Sequence, residues 1–291
     1  MPLLPAYAAL LALGVIWGSN FIFMKWATAL VSPAQTEFLR VLFGFLPLAF
    51  MAWRAGVIHR AQLRHLPHFA VMSVLATSFY YYGFVAGTAL LPTSVAGLLS
   101  GSIPIFTFLC AFLFLRDERP TLRMVMGVTL GFVGIAMSAR PWEGAGHVPL
   151  AGVFWMLAGT FSLGSSFVYA RRFLSPLGLS PLALATWQTG LAVLTLAVLT
   201  PFDGMGAILT DARALLGASV GLGVLGTGGA FLAYYFIIEK LGPLQASGAT
   251  YIAPVVAVLI GVAAGEQVTA LEWGALGLIL GGVVLIQTRR R

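Results

Sequence analysis

The sequence predicts an all-α polytopic membrane protein, with ten transmembrane helices forming two inverted-topology five-helix repeats around a central cavity. Apolar residues make up 59% of the 291 positions and charged residues only 9%, whereas soluble domains carry about 25% charged residues. The mean hydropathy is +0.96, which does not suit a water-soluble surface. Short apolar motifs also recur about 150 residues apart, and such recurrence indicates an internal duplication.

Ten apolar stretches can each cross a bilayer, whose hydrocarbon core of about 30 Å requires roughly 20 helical residues. All should be helices, because lipid cannot hydrogen-bond an exposed backbone and strand-like alternation is absent. The eighth is longer than a span needs, so we expect it to begin with an interfacial turn. The predicted spans are residues 6–27, 33–54, 67–89, 92–115, 122–139, 149–171, 182–200, 213–239, 243–264 and 270–288.

The duplication divides the chain into residues 1–145 and 146–291, two repeats within one integrated membrane domain. Five helices per repeat is an odd number, so the second repeat must enter the membrane with the opposite orientation. Inverted repeats of this kind build the path of many transporters, which opens to either side in turn. The matching residues include Pro104 with Pro254, Gly127 with Gly277 and Gly131 with Gly281.

Lysine and arginine are distributed unequally between the two sides of the predicted bundle. Twelve lie on the side that holds both termini and three on the other side, Lys25, Arg140 and Arg213. The positive-inside rule then places both termini in the cytoplasm. The net charge of +7 lies mostly in loops between spans, so we expect a lipid bilayer and not nucleic acid as the partner.

Aromatic and polar residues within the spans are the candidate substrate-binding residues. A deep Tyr or Trp needs a hydrogen-bond partner or a water-filled cavity, and a polar residue inside a span usually faces a pathway or a partner. Ordinary helix packing is the alternative for each aromatic residue alone, but Trp17 with the Tyr80–Tyr82 cluster favours a cavity for an apolar or aromatic solute. The candidates are Trp17, Asn20, Tyr80, Tyr81, Tyr82, Ser100, Trp155, Gln188, Tyr234, Gln245 and Tyr251.

Prolines and glycines at matching places in the two repeats are candidate gating or hinge residues. Proline frees a backbone carbonyl one turn earlier, and small residues allow close helix approach, although prolines are also common in membrane helices. The candidates are Pro104, Pro254, Gly101 and Gly248, and the charges within spans are Lys25, Glu37 and Arg40. Glu37 and Arg40 are three residues apart on one helix and can simply pair.

Signatures of an enzyme or an ATP-driven pump are missing from the sequence. The four histidines, His59, His65, His68 and His147, lie in loops or at helix edges without the ligand set of a metal site. There is no phosphate-binding P-loop, and Cys110 is the single cysteine. We therefore expect no catalytic residue, no metal and no cofactor. A membrane-embedded enzyme or a receptor remains the alternative of another class.

The order of several motifs resembles a known family. The first span carries Gly14-Val-Ile-Trp17-Gly-Ser-Asn20-Phe21 followed by Lys25, and the second carries Arg40. Further along are Ala96 and Pro104 in one repeat and Ala246, Pro254 and Glu266 in the other. This arrangement resembles the EamA-type proteins of the drug/metabolite transporter superfamily over nearly the whole chain.

The resemblance implies a fold and a function. It implies ten helices in inverted repeats around a cavity lined mainly by helices 1, 3, 4, 6, 8 and 9. It also implies a secondary transporter in a bacterial-type inner membrane that exports small amphipathic metabolites by alternating access. Amino acids, aromatic or otherwise apolar, are the expected solutes, and a broader range of drugs and metabolites is the alternative. We expect a monomer, with a dimer as the other possibility.

Overall fold

The structure, a computed structural model, describes residues 4–114, 121–140, 142, 148–241, 246 and 248–287. Within those ranges the chain is helical with short connections and forms ten main helices, which confirms the all-α fold class. Eight are long and apolar enough to cross a membrane, and α9 and α10 are shorter apolar helices. The helices are α1 Leu4–Thr28, α2 Pro33–Arg54, α3 Arg60–Leu90, α4 Thr93–Phe114, α5 Leu122–Ala139, α6 Leu150–Leu177, α7 Pro181–Leu199, α8 Ala212–Leu241, α9 Ala249–Ala263 and α10 Ala270–Gln287.

Local sequence signals set the starts of the equivalent helices α2 and α7. The Ser32 hydroxyl accepts a hydrogen bond from the Gln35 backbone N–H, while the Gln35 side chain accepts one from the Ser32 N–H. This reciprocal pair is a capping box. Ser180 accepts from the Ala183 N–H in the same way, and a proline follows each cap. Proline suits the first helical position because its missing N–H is not needed there.

The contact between α5 and α10 shows directly that the repeats are inverted. A Cβ on Gly127 would lie 2.5 Å from the carbonyl oxygen of Gly282, and one on Gly134 would lie 2.9 Å from that of Ala275. Residue numbers therefore rise along α5 as they fall along α10. Because α5 and α10 are the fifth helices of their repeats, their antiparallel packing means that the repeats have opposite orientations.

The remaining helix contacts come in pairs related by the same pseudo-two-fold symmetry. Helix α1 packs on α8 and α9 of the other repeat, and its equivalent α6 packs on α3 and α4. Likewise α2 packs on α8, and α7 packs on α3. Most of the core thus forms between the repeats, so neither five-helix unit buries its apolar faces alone.

Non-standard helical turns interrupt four of the helices. Helices α3, α6 and α8 contain π-helical segments at Val74–Ser78, Ala170–Leu174 and Gly217–Gly229. Helix α8 is continuous over Ala212–Leu241, and its extra length includes the π-helical segment. The interfacial turn expected at its start stays a prediction. Helix α4 is broken at Gly101 and Ser102, where two turn residues separate its halves.

Candidate substrate cavity

A cavity of about 320 Å³ lies between the two repeats. This volume falls at the lower end of the range for small-molecule sites, about 300–1,000 Å³. The described residues that line it come from α1, α2, α3, α4, α6, α7, α8 and α9. Helices α2 and α7 therefore add to the six helices that the family resemblance implies.

The cavity extends much further toward one side of the bundle than toward the other. We call the side where α2 and α6 end the arginine-rich side, since Arg54, Arg171 and Arg172 lie there, and the opposite side the arginine-poor side. The lining reaches Leu174, three residues before the end of α6, and Pro181, the first residue of α7. On the arginine-poor side it stops within the bundle.

Eight of the residues singled out in the sequence meet in the cavity lining. The ring centroids of Trp17 and Tyr234 are 6.0 Å apart, and Tyr80 lies 4.7 Å from Tyr81 and 4.6 Å from Phe84. These rings form aromatic walls contributed by α1, α3 and α8. The eight residues are Trp17, Asn20, Arg40, Tyr80, Tyr81, Ser100, Gln188 and Tyr234.

Other candidates lie elsewhere in the described part of the chain. Tyr82 and Trp155 form an edge-to-face pair with centroids 5.2 Å apart, and neither lines the cavity. Tyr251 is half-buried in α9, and its hydroxyl makes no hydrogen bond. Gln245 lies outside the described residues, and Gly248 directly precedes α9.

Arg40 and Asn20 form a polar end of the cavity. The Arg40 guanidinium lies over the Tyr81 ring, 3.7 Å from its centroid, and its Nε donates a 3.2 Å hydrogen bond to the Thr227 hydroxyl. Arg40 Nη1 and Asn20 Oδ1 are buried without hydrogen-bond partners. The expected pairing with Glu37 is absent among the described ion pairs, since Arg40 turns toward α3 and α8 instead.

The π-helical segment of α8 brings α1 and α2 against this polar end. The Thr227 hydroxyl donates to the carbonyl of Leu222, five residues earlier, so its lone pairs face Arg40. Gly226 lies directly against the Asn20 side-chain oxygen, where any Cβ would overlap it. Sequence reasoning missed Gly226 and Thr227. The signal was available in the glycine-rich run of residues 221–229, because clustered glycines mark close backbone approach.

Two opposite charges hold the turn between α3 and α4 on the arginine-poor side. The Lys25 ammonium donates to the carbonyls of Thr88 and Leu91 at the end of α3, at 3.2 and 2.5 Å. The Glu266 carboxylate accepts from the Thr93 and Ser94 N–H groups at the start of α4, at 2.6 and 2.8 Å. The positive Lys25 thus faces the partly negative C-terminal end of α3, and the negative Glu266 faces the partly positive N-terminal end of α4, which is favourable in both cases.

The Glu266 carboxyl lies in the connection between α9 and α10, outside the spans. Burial raises its pKa, but the hydrogen bonds from Ser94 and Thr93 together outweigh burial, and the net pKa lies below its ordinary value of 4.5. The carboxyl is therefore ionised at neutral pH. Because Lys25 belongs to α1 and Glu266 follows α9, this polar clamp ties both repeats together on the arginine-poor side.

The two prolines of the predicted hinge have different surroundings. Helix α4 breaks just before Pro104, whereas α9 continues through Pro254. At the break, the Ser100 and Ser102 hydroxyls donate to the carbonyls of Gly97 and Leu99, at 2.6 and 2.7 Å. The break therefore leaves few backbone groups unsatisfied. A hinge role for these residues stays a prediction.

The described residues contain no group of three or more His, Cys, Asp or Glu side chains that could hold a metal ion. The cavity chemistry is instead that of aromatic rings, amides, hydroxyls and one guanidinium. These groups can bind an amphipathic solute through stacking and hydrogen bonds.

Comparison with known proteins gives the family. Two stretches, residues 4–140 and 150–288, each match the EamA-like transporter family. The chain belongs to this family. It is therefore a multi-pass membrane transporter, and each match contains one set of five helices.

Relatives in this family are similar over nearly their full length. The chain is 30% identical to an Escherichia coli protein named uncharacterized inner membrane transporter YedA, over 98% of this chain and 91% of that protein. It is 27% identical to a probable terminal-alkyne amino-acid exporter of Streptantibioticus cattleyicolor, over 99% and 95%. A solved crystal structure with 20% identity superimposes with a TM-score of 0.61 over 98% of both chains, a likeness of fold.

Proposed function

We propose that this protein is a secondary transporter that exports small amphipathic solutes, above all amino acids with aromatic or other apolar side chains. The observation that carries the proposal is the cavity between the repeats, with aromatic walls near Trp17 and Tyr234 and a polar end at Asn20 and Arg40. An amphipathic solute fits such a division, because its apolar part can stack on the rings while its polar part meets the amide and guanidinium groups.

Transport would proceed by alternating access. The cavity reaches the arginine-rich side, and the positive-inside rule places that side, with both termini, in the cytoplasm. The observed conformation would then accept solute from the cytoplasm while the clamp of Lys25 and Glu266 closes the opposite side. Reorientation of the repeats would open the cavity outward.

Two similarities support amino acids as solutes. One relative is named a probable terminal-alkyne amino-acid exporter, and the sequence motifs resemble those of the aromatic amino acid exporter YddG. A broader drug or metabolite exporter is the second candidate, favoured by the predominance of apolar groups in the lining. A solute panel separates the two, because the broader exporter would also transport apolar compounds without amino-acid groups.

Export can be tested in proteoliposomes that contain only this protein, by following labelled amino acids. The variants Trp17→Ala and Trp155→Ala form a matched pair, because each removes an indole but only Trp17 lines the cavity. We expect Trp17→Ala to weaken transport of aromatic amino acids about tenfold, from lost ring contact and apolar burial, and Trp155→Ala to change it little.

Two results would contradict the proposal. Absence of flux across the whole solute panel would refute secondary transport of amphipathic solutes. Equal effects of Trp17→Ala and Trp155→Ala, in proteins of equal thermal stability, would refute the assignment of the aromatic cavity as the binding site. Transport of aromatic amides and drugs in preference to amino acids would favour the broader exporter.

A further inference from the structure

We propose that the exported solute carries a carboxylate, and that Arg40 binds it at the polar end of the cavity. This inference rests on the proposed export function and narrows its substrate class. It depends on three features of the structure: a buried arginine that makes no ion pair among the described contacts, the orientation of its guanidinium, and an amide oxygen beside it without a hydrogen-bond partner.

Arg40 is a buried cation that makes no ion pair among the described contacts, although the buried Glu37 one turn earlier interacts with it electrostatically. Its exposed fraction is 2%, and it lies within α2. Burying an unpaired charge is costly, so buried charges in proteins are normally paired or bind a ligand. The nearest acidic residue along the helix, Glu37, makes no ion pair with it among the described contacts, and Glu37 Oε1 also has no hydrogen-bond partner. An anionic ligand would supply the missing partner.

The surroundings of Arg40 fix its orientation and leave its Nη1 buried without a hydrogen-bond partner at the edge of the cavity. Tyr81 covers one face of the guanidinium, and Thr227 accepts the Nε hydrogen bond. Nη1 has no hydrogen-bond partner, although Arg40 lines the cavity. Arginine commonly stacks on an aromatic ring while its planar fork binds a carboxylate with two parallel hydrogen bonds. The stacking and the Nε bond are already formed, so a carboxylate completes the arrangement.

Asn20 extends the same site with an acceptor. Asn20 lies against Gly226 and Arg40 contacts Thr227, so the two side chains meet adjacent residues of α8. Asn20 lines the cavity, and its Oδ1, which packs against Gly226 without a hydrogen-bond partner, would accept from an ammonium group after turning toward the cavity. Trp17 follows one helical turn toward the arginine-rich side, about 4.5 Å away along α1. An α-amino acid presents a carboxylate, an ammonium and a side chain from one carbon, which suits this arrangement.

The test compares a carboxylate with its neutral amide in counterflow of labelled L-phenylalanine into proteoliposomes. Unlabelled L-phenylalanine and L-phenylalaninamide compete at a pH where both amines are protonated. We expect the wild-type protein to prefer the acid about 10- to 100-fold, the contribution of a charge-assisted hydrogen bond to binding. Equal inhibition by both compounds would overturn the carboxylate proposal while leaving export intact. Absence of any counterflow would instead refute the proposed function.

Variants separate a binding role of Arg40 from a structural one. In Arg40→Gln we expect the preference for the acid to fall to about one, and in Arg40→Lys to be partly retained, because a lysine keeps the charge but not the fork. If Arg40 only balances the charge of Glu37, the double variant Glu37→Gln/Arg40→Gln should recover both transport and acid preference. That recovery would overturn the proposal. The wild-type comparison holds even where a variant fails to fold.

Discussion

The clamp formed by Glu266 allows a quantitative prediction about the closed side of the transporter. In Glu266→Gln one side-chain oxygen remains to accept a hydrogen bond, while the new amide N–H₂ faces a backbone N–H of Thr93 or Ser94. One charge-assisted hydrogen bond is lost, the remaining one becomes a weaker neutral bond, and the negative charge at the start of α4 is removed. The variant should therefore favour the conformation that is open on the arginine-poor side.

The size of this shift follows from the two lost interactions. A charge-assisted hydrogen bond contributes about 1.5–3 kcal/mol, and the lower end applies because Glu266 is only half-buried. The lost interaction with the helix dipole adds about 0.5 kcal/mol. If the clamp is absent in the outward-open state, the closed state loses about 2 kcal/mol, which shifts the ratio of the two states about 30-fold.

Cysteine labelling measures this shift. Ser100 lines the cavity, so Ser100→Cys in a Cys110→Ala background should react with an impermeant maleimide from the arginine-poor side only when that side opens. Glu266→Gln should accelerate this reaction up to about 30-fold. Asp211→Asn is the matched control, because Asp211 accepts from the Arg213 and Ala214 N–H groups at the start of its own helix, α8, on the same side of the bundle. We expect it to leave the labelling rate unchanged.

The pH dependence of the labelling rate gives an independent test of the clamp. The pKa of Glu266 is lowered in the closed state, so its contribution is complete above the ordinary carboxyl pKa and is lost as pH falls through the lowered value. Acid also protonates the reacting thiol in both backgrounds, so the two rates are compared at the same pH. The excess of labelling in Glu266→Gln over the wild-type background should be about 30-fold at neutral pH and should shrink as pH falls through the lowered pKa of Glu266. If both backgrounds label equally at every pH, the clamp does not control the closed side.

Two further predictions concern topology and helix packing. With both termini in the cytoplasm, Leu209→Cys, in the α7–α8 connection, should label on intact cells, whereas Arg60→Cys should label only after permeabilisation; the reverse pattern would invert the proposed orientation. At the crossing of α4 and α9, Gly97→Ala would overlap the Ala257 side chain and should lower the free energy of unfolding by about 1–3 kcal/mol. The control Gly277→Ala, whose Cβ would meet no atom within 4 Å, should be neutral or stabilising in thermal-denaturation measurements.

The fold could be predicted in detail from the sequence because its determinants are repetitive and local. Apolar length fixes the spans, and caps such as Ser32 and Ser180 fix helix starts. An odd number of helices per repeat fixes the inversion without any structural information. The aromatic wall could be predicted in part, since Trp17 and Tyr80 are deep in their spans and deep aromatic residues require a cavity or a partner.

Packing details could not be predicted, because equivalent sequence positions have different neighbours. Gly127 and Gly131 contact other helices closely, while their sequence equivalents Gly277 and Gly281 would each meet nothing within 4 Å. The glycine that approaches α5 is Gly282, one position along the helix. A motif shows that small residues recur, but the rotation of each helix about its axis decides which of them lies in the interface.

The two repeats also differ around the paired prolines, Pro104 and Pro254. In the sequence, Pro104 and Pro254 are symmetric candidates for gates. In the structure, a Cβ on Gly101 would lie 3.4 Å from Pro254 Cγ, so the break in α4 packs against the continuous helix α9. Bending α4 further would cost little, since Ser100 and Ser102 already satisfy backbone carbonyls there. Bending α9 would break the helical hydrogen bonds on either side of the one that Pro254 cannot donate. We therefore expect α4 to bend at its break near Pro104 while α9 keeps its shape near Pro254, so that the two prolines are not equivalent gates.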